Sequence, residues 1–179
     1  MIGAKIYGEW LIPITDYYKT LKKNEKNYEI LIPLFTAVIT TVIYIFFGDS
    51  LRALMKLRDI LPNALAILIG FTISCITILV SSDNNTIKYL KDTSSDNRVV
   101  RNKVISLYQW MLITFVYILI IQVFLLAFVF FVAFVLQLTK TNPFISIGLF
   151  IETYFLLHIL LLLIRNITNF YFVFFVRRS

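Results

Sequence analysis

The sequence predicts an all-α polytopic membrane protein with four transmembrane helices, and three observations carry that prediction. Of its 179 residues 59% are hydrophobic and only 15% charged, more apolar surface than the core of one soluble domain this size encloses. Four apolar segments reach bilayer-spanning length. The charged residues cluster between these segments instead of being scattered along them.

The leader, residues 1–28, mixes aromatic and apolar residues with lysine. Pro13 divides it, Thr15 or Asp16 could cap a short second helix, and Tyr7, Trp10, Tyr17 and Tyr18 favour the headgroup layer. A helix lying at the cytoplasmic interface is expected. The first span covers residues 29–48, with Pro33 in its first turn where a missing amide costs little. Pro33, Ala37, Thr41 and Tyr44 share a face that suits the second span. Residues 49–61 read as an external loop carrying a short amphipathic helix, with Leu51, Leu54, Met55 and Arg58 on one side and Pro62 closing it.

The second span, residues 62–82, organises the chain. At roughly 100° per residue, Asn63, Ala66, Gly70, Ser74, Thr77 and Ser81 fall on one narrow face. Small residues let helices approach closely in lipid, and hydroxyls can bond across the contact. Two readings stay open: a seam that packs this helix on its neighbours, or a face that meets its copies in an oligomer and lines a polar path. A basic cytoplasmic loop, residues 83–104, follows, reading partly as a helical extension and partly as a loop with its break around Thr93–Asn97.

The third span lies within residues 105–138. The apolar run Val104–Leu138, 35 residues, would measure about 52 Å as a helix, against a hydrocarbon core of about 30 Å. An external turn at residues 139–143 leads to the fourth span, 144–165, and an aromatic, basic cytoplasmic tail, 166–179. The segment Phe144–Arg178 is also 35 residues long, and equal length with a tight turn suggests that the last two helices form a long antiparallel hairpin; strong tilt, or a tail bending along the surface after Asn166, is the alternative. Lysines and arginines set the orientation. With the N-terminus inside, five in the leader, five in the 83–104 loop and three at the end make thirteen cytoplasmic, against four outside. Both termini are expected in the cytoplasm of a cell whose inner membrane holds the protein.

The net charge of +7 is explained by this topology, so direct nucleic-acid binding is not expected. Cys75 is the one cysteine, which excludes an intrachain disulfide framework and a cysteine-cluster metal site. No secretory signal peptide is apparent, and the leader reads as mature protein. Gly-rich phosphate loops, zinc-protease and nucleophile-elbow motifs are missing, so the chain is read as a non-enzyme with no cofactor and no metal.

Three residues of the spans are expensive in lipid. Counting from Phe144, Glu152 lies about 12 Å into the core and His158 about 21 Å. Gln122 sits mid-run in the third span and must find a partner across helices. Glu152 should be neutral and hydrogen-bonded or stand on an aqueous path, and a contact of Gln122 with Glu152 or His158 is expected. Arg165 falls at the cytoplasmic boundary, about 31 Å along, where it can reach phosphates. With Lys88, Lys91, Arg98, Arg101 and Lys103 it forms the candidate contact set for a soluble partner or anionic lipid.

The stretches FLLHILLLLIRNITN, with a His in the span and an Asn-containing end, and ILPNALAILIGFTISCITILVSS, followed by a charged loop, resemble the membrane subunit of the lambda Rex phage-exclusion system. The resemblance covers about Asp59–Asn169; the leader and the aromatic tail depart from it. The four-span plan is also similar to that of the membrane subunit of the Kiwa defence system, which works through a cytoplasmic partner. The resemblance implies a bacterial inner-membrane protein acting in phage defence; no functional residues carry over. Three functions follow as expectations: an oligomeric ion-conducting or depolarising effector, a membrane-anchored sensor or scaffold recruiting a soluble cytoplasmic partner, or a small transporter subunit.

Overall fold

The computed structural model describes residues 8–138 and 142–175. The start of the leader with Tyr7, most of the turn at 139–143 with Lys140, and the end of the tail with Arg177 and Arg178 lie outside the described residues. Helix α1 (Leu11–Thr20) leads into α2 (Lys23–Phe47), then α3 (Ser50–Ser81) and the short α4 (Asn85–Asp92). Strands β1 (Ser94–Val100) and β2 (Lys103–Ser106) follow, then α5 (Leu107–Leu138) and α6 (Asn142–Phe175). Four helices are long and apolar enough to cross a membrane: α2, α3, α5 and, over Pro143–Phe172, α6.

Several local expectations are corrected. Pro13 does not divide the leader: α1 runs through it. It stands in the first turn, whose amides have no helical acceptor. Thr15 lies inside the helix with its hydroxyl on the Ile12 carbonyl. Tyr17, expected among headgroups, is completely buried. Residues 50–61 are no loop, because α3 starts at Ser50 and continues through Pro62 without a break. A proline inside a helix forfeits one hydrogen bond and costs about 3 kcal/mol. Burial of Leu54, Leu61 and Leu65 on both sides of it offsets that, at about 1.5–3 kcal/mol for each side chain. Met55 does not share the environment of Leu54: it is exposed. The tail joins the fourth helix, which continues to Phe175.

The chain divides into two units, each compact by itself. One, the ribbon unit, comprises residues up to Lys22, Phe71–Ile120 and from Leu162 onward; the other, the span unit, comprises Lys23–Gly70 and Ile121–Leu161. In the span unit Leu54 of α3 meets Val132 and Leu136 of α5 and Ile145 and Leu149 of α6 in one buried cluster. Gly148 permits this approach, since a Cβ there would lie 3.3 Å from Val132 Cγ1. The face of α2 expected to seat the second span is buried at Pro33, Ala37 and Thr41.

The ribbon unit contains what the helical reading left as loop. Asn84 caps α4, its side chain accepting from the Ile87 amide at 2.9 Å. The chain then forms an antiparallel two-stranded ribbon with Val100 opposite Lys103. Arg101 and Asn102 both have positive φ, 49° and 63°, which gives the two-residue turn whose twist matches paired strands. A second left-handed pair, Asp96 and Asn97, takes up the register shift between Ser94 and Val99.

Candidate functional site

Two prolines prepare the polar interior of the span unit. Pro33 has no amide to donate to the carbonyl four residues back, that of Glu29. That carbonyl lies in a π-helical turn, Asn27–Leu31, a feature frequent at functional sites. His158 Nδ1 takes it up at 2.6 Å. A carbonyl oxygen only accepts, so Nδ1 carries the hydrogen and donates. Pro62 likewise leaves the carbonyl of Arg58 without its helical donor, and the Arg58 side chain pairs with Glu152. Its Nε and Nη2 donate to Glu152 Oε1 at 3.2 and 3.1 Å. The carboxylate is wholly buried and the guanidinium 10% exposed.

Glu152 and His158 stand six residues apart on α6, about 9 Å along its axis. The Tyr154 ring stacks on the His158 ring, centroids 5.9 Å apart and planes within 4°. Phe124 of α5 meets Phe155 of α6 at 6.0 Å, and Val132 meets Gly148. On that register Gln122 stands level with His158. Gln122 is fully buried, and neither its amide oxygen nor its nitrogen has a hydrogen-bond partner among the described residues; Glu152 Oε2 is in the same condition. The expected partner of Gln122 is therefore corrected. Glu152 is held by Arg58 and His158 by a backbone carbonyl. Arg58 was missed because a residue assigned to an external loop has no reason to meet the fourth span. Its position four before a proline, inside a continuous apolar helix, was the available signal.

The six stripe residues of α3 have a shared fate. Asn63, Ala66, Gly70, Ser74, Thr77 and Ser81 are all exposed in the chain. Asn63 and Ala66, in the span unit, are thus not seated on the buried face of α2, which corrects that pairing there. Thr77 and Ser81 donate to the carbonyls four residues back on their own helix, at 2.9 and 2.6 Å, and a Cβ on Gly70 would meet nothing within 4 Å.

The basic set divides. In the ribbon unit Arg98 is buried, donates to the Thr20 carbonyl at 2.8 Å and lies 4.1 Å over the Trp110 ring. Arg165 approaches the same ring at 5.0 Å. Arg101 bonds Asp16 at 3.1 Å, and Lys91 lies 5.4 Å from the Tyr108 ring. Lys88 and Lys103 are exposed. Lys22 donates to Asp96 at 2.9 Å, and that hydrogen bond with its charge holds the Asp96 carboxyl below its ordinary pKa. Tyr17 stacks on Tyr117 with centroids 3.7 Å apart, and the Tyr18 and Tyr117 hydroxyls share a 3.2 Å hydrogen bond.

Among the described residues no group of three His, Cys, Asp or Glu could hold a metal ion. Compared with protein-family models, curated proteins and solved structures, the chain finds no match.

Proposed function

We propose that this protein resides in a bacterial inner membrane with both termini cytoplasmic, assembles through the small-residue face of α3, and acts as an ion-conducting effector in phage defence. The observation that carries the reading is the exposure of the whole stripe, Asn63 through Ser81. A face of small residues whose hydroxyls at Thr77 and Ser81 are already bonded to their own helix suits close approach of a second copy in lipid. Polar groups held among apolar helices suit passage of charge. The phage-defence setting is drawn from the resemblance of FLLHILLLLIRNITN to the exclusion-system subunit.

Single-channel current from purified protein in a planar bilayer tests this. Discrete openings are expected, and Ser74→Leu, which places a large side chain on the stripe, should abolish them together with the oligomer. A stable oligomer that never conducts overturns the conducting reading. That result favours the scaffold, for which the exposed Lys88 and Lys103 offer the docking charge. Reversing both should then release a soluble partner while leaving assembly intact.

A further inference from the structure

Within the span unit, α3 and α5 enclose a cavity of about 500 Å³. Leu51, Met55 and Arg58 line it from one side of α3, at helical spacing, with Asp59 next to Arg58. Leu136 and Gln137 line it from α5. A largely apolar wall with a few charged and polar groups set into it is the make-up of a ligand site. Met55 is exposed, so the cavity opens at the side of the helix pair.

The guanidinium in this wall is held in place by its other edge. Nε and Nη2 of Arg58 donate to Glu152 Oε1, which leaves both Nη1 hydrogens uncommitted to that carboxylate. Asp59 is exposed and lines the same cavity. Since Arg58 and Glu152 balance each other, Asp59 leaves the wall with an excess of negative charge. A purely anionic ligand meets that carboxylate unopposed. A ligand carrying both a phosphate, for Arg58, and an ammonium, for Asp59, satisfies the two together.

Depth along α3 points to where such a ligand comes from. Residues 62–82 contain no charged side chain and measure about 31 Å as a helix, the thickness of a hydrocarbon core. Arg58 and Asp59 stand about 4–6 Å before that stretch on the same helix, at the level of lipid headgroups. We propose that the cavity binds the headgroup of a zwitterionic phospholipid with a primary ammonium: phosphate on Arg58, ammonium on Asp59, and the start of the acyl chains on Leu51, Met55 and Leu136. A primary ammonium donates hydrogen bonds to Asp59, which a quaternary one cannot. The inference rests on the membrane part of the reading above and not on conduction.

Native mass spectrometry of the full-length protein, released from detergent with equal amounts of phosphatidylethanolamine, phosphatidylcholine and phosphatidylglycerol, reads the headgroup directly. The ethanolamine lipid should be retained over both others. Asp59→Asn should weaken that retention about tenfold, the loss of one charged hydrogen bond, and Asp59→Lys should turn the preference toward phosphatidylglycerol. Ala133→Phe, which fills the cavity from α5, should shed the lipid. Equal retention of the three lipids, a preference for phosphatidylglycerol in the unaltered protein, or an unchanged Asp59→Asn overturns the inference. Displacement by glycerophosphoethanolamine, which has the headgroup without the chains, assigns the cavity to a soluble zwitterion and overturns the lipid. An oligomer that Ala133→Phe breaks, with no lipid retained by the unaltered protein, assigns the cavity to a second copy and overturns it too. A chain that a carbonate wash strips from bacterial membranes overturns the membrane reading itself; an embedded chain without headgroup preference overturns this inference alone.

Discussion

In the ribbon unit, charges meet on exposed surface: the side chains of Lys22 and Asp96 are 46% and 74% exposed, and Arg101 reaches Asp16 from an exposed turn. In the span unit Asp49 and Arg52 also pair on exposed surface, but the Arg58–Glu152 pair is almost wholly enclosed. Exposed pairs are worth about 0–1 kcal/mol because water already solvates both partners. An enclosed pair adds little net stability either, yet losing one partner strands the other and costs about 3–5 kcal/mol. The same chemistry therefore fastens a ribbon gently in one unit and sets a hard requirement in the other.

The sharpest way to break this contrast is Glu152→Leu. It should destabilise the protein by about 3–5 kcal/mol through the stranded Arg58, read by unfolding in detergent micelles. Arg58→Met combined with Glu152→Leu should recover most of the loss; no recovery would mean that the pair is not the cause. Next in size, Gly148→Leu drives a side chain into Val132 and Leu54. Such overpacking should cost about 1–3 kcal/mol, while Gly70→Leu, on the open stripe, should leave monomer stability nearly unchanged.

On the ribbon side, Arg98→Ala removes a guanidinium stacked on Trp110 and bonded to Thr20. A loss of about 1–3 kcal/mol is expected, with Trp110 fluorescence shifting to longer wavelength; an unshifted spectrum would count against the stack. Asp96 gives a smaller, pH-dependent effect. Its folded pKa lies below its unfolded one, so the Lys22 contribution is present above the unfolded value. It fades as pH falls through the folded one. Lys22→Ala should return the Asp96 carboxyl titration, followed by NMR, to the ordinary range. Lys88→Ala and Lys103→Ala should stay within about 0.5 kcal/mol of the parent.

Much of the polar interior could be listed from the sequence but not connected. Gln122, Glu152 and His158 stand out because a polar residue in an apolar run is conspicuous at any register. Which of them meet depends on contacts among α2, α3, α5 and α6, and a helical periodicity says only which side a residue faces. The ribbon was missed for a different reason. Its strands alternate weakly, so the informative signal was at the turns, where Asp96, Asn97 and Asn102 are residues tolerant of left-handed backbone.

By itself the sequence determined that four helices are long and apolar enough to span a membrane, because burial in lipid demands an unbroken apolar run whose backbone bonds within itself. It also marked the small-residue face of α3, since helix geometry alone aligns residues three and four apart. Only the tertiary structure decided that this face is exposed, that Arg58 belongs to Glu152, and that the carbonyl freed by Pro33 is the one His158 holds. Those outcomes turn on which neighbour fills each place, and a hydrogen bond or an ion pair needs two partners that a single helix cannot supply.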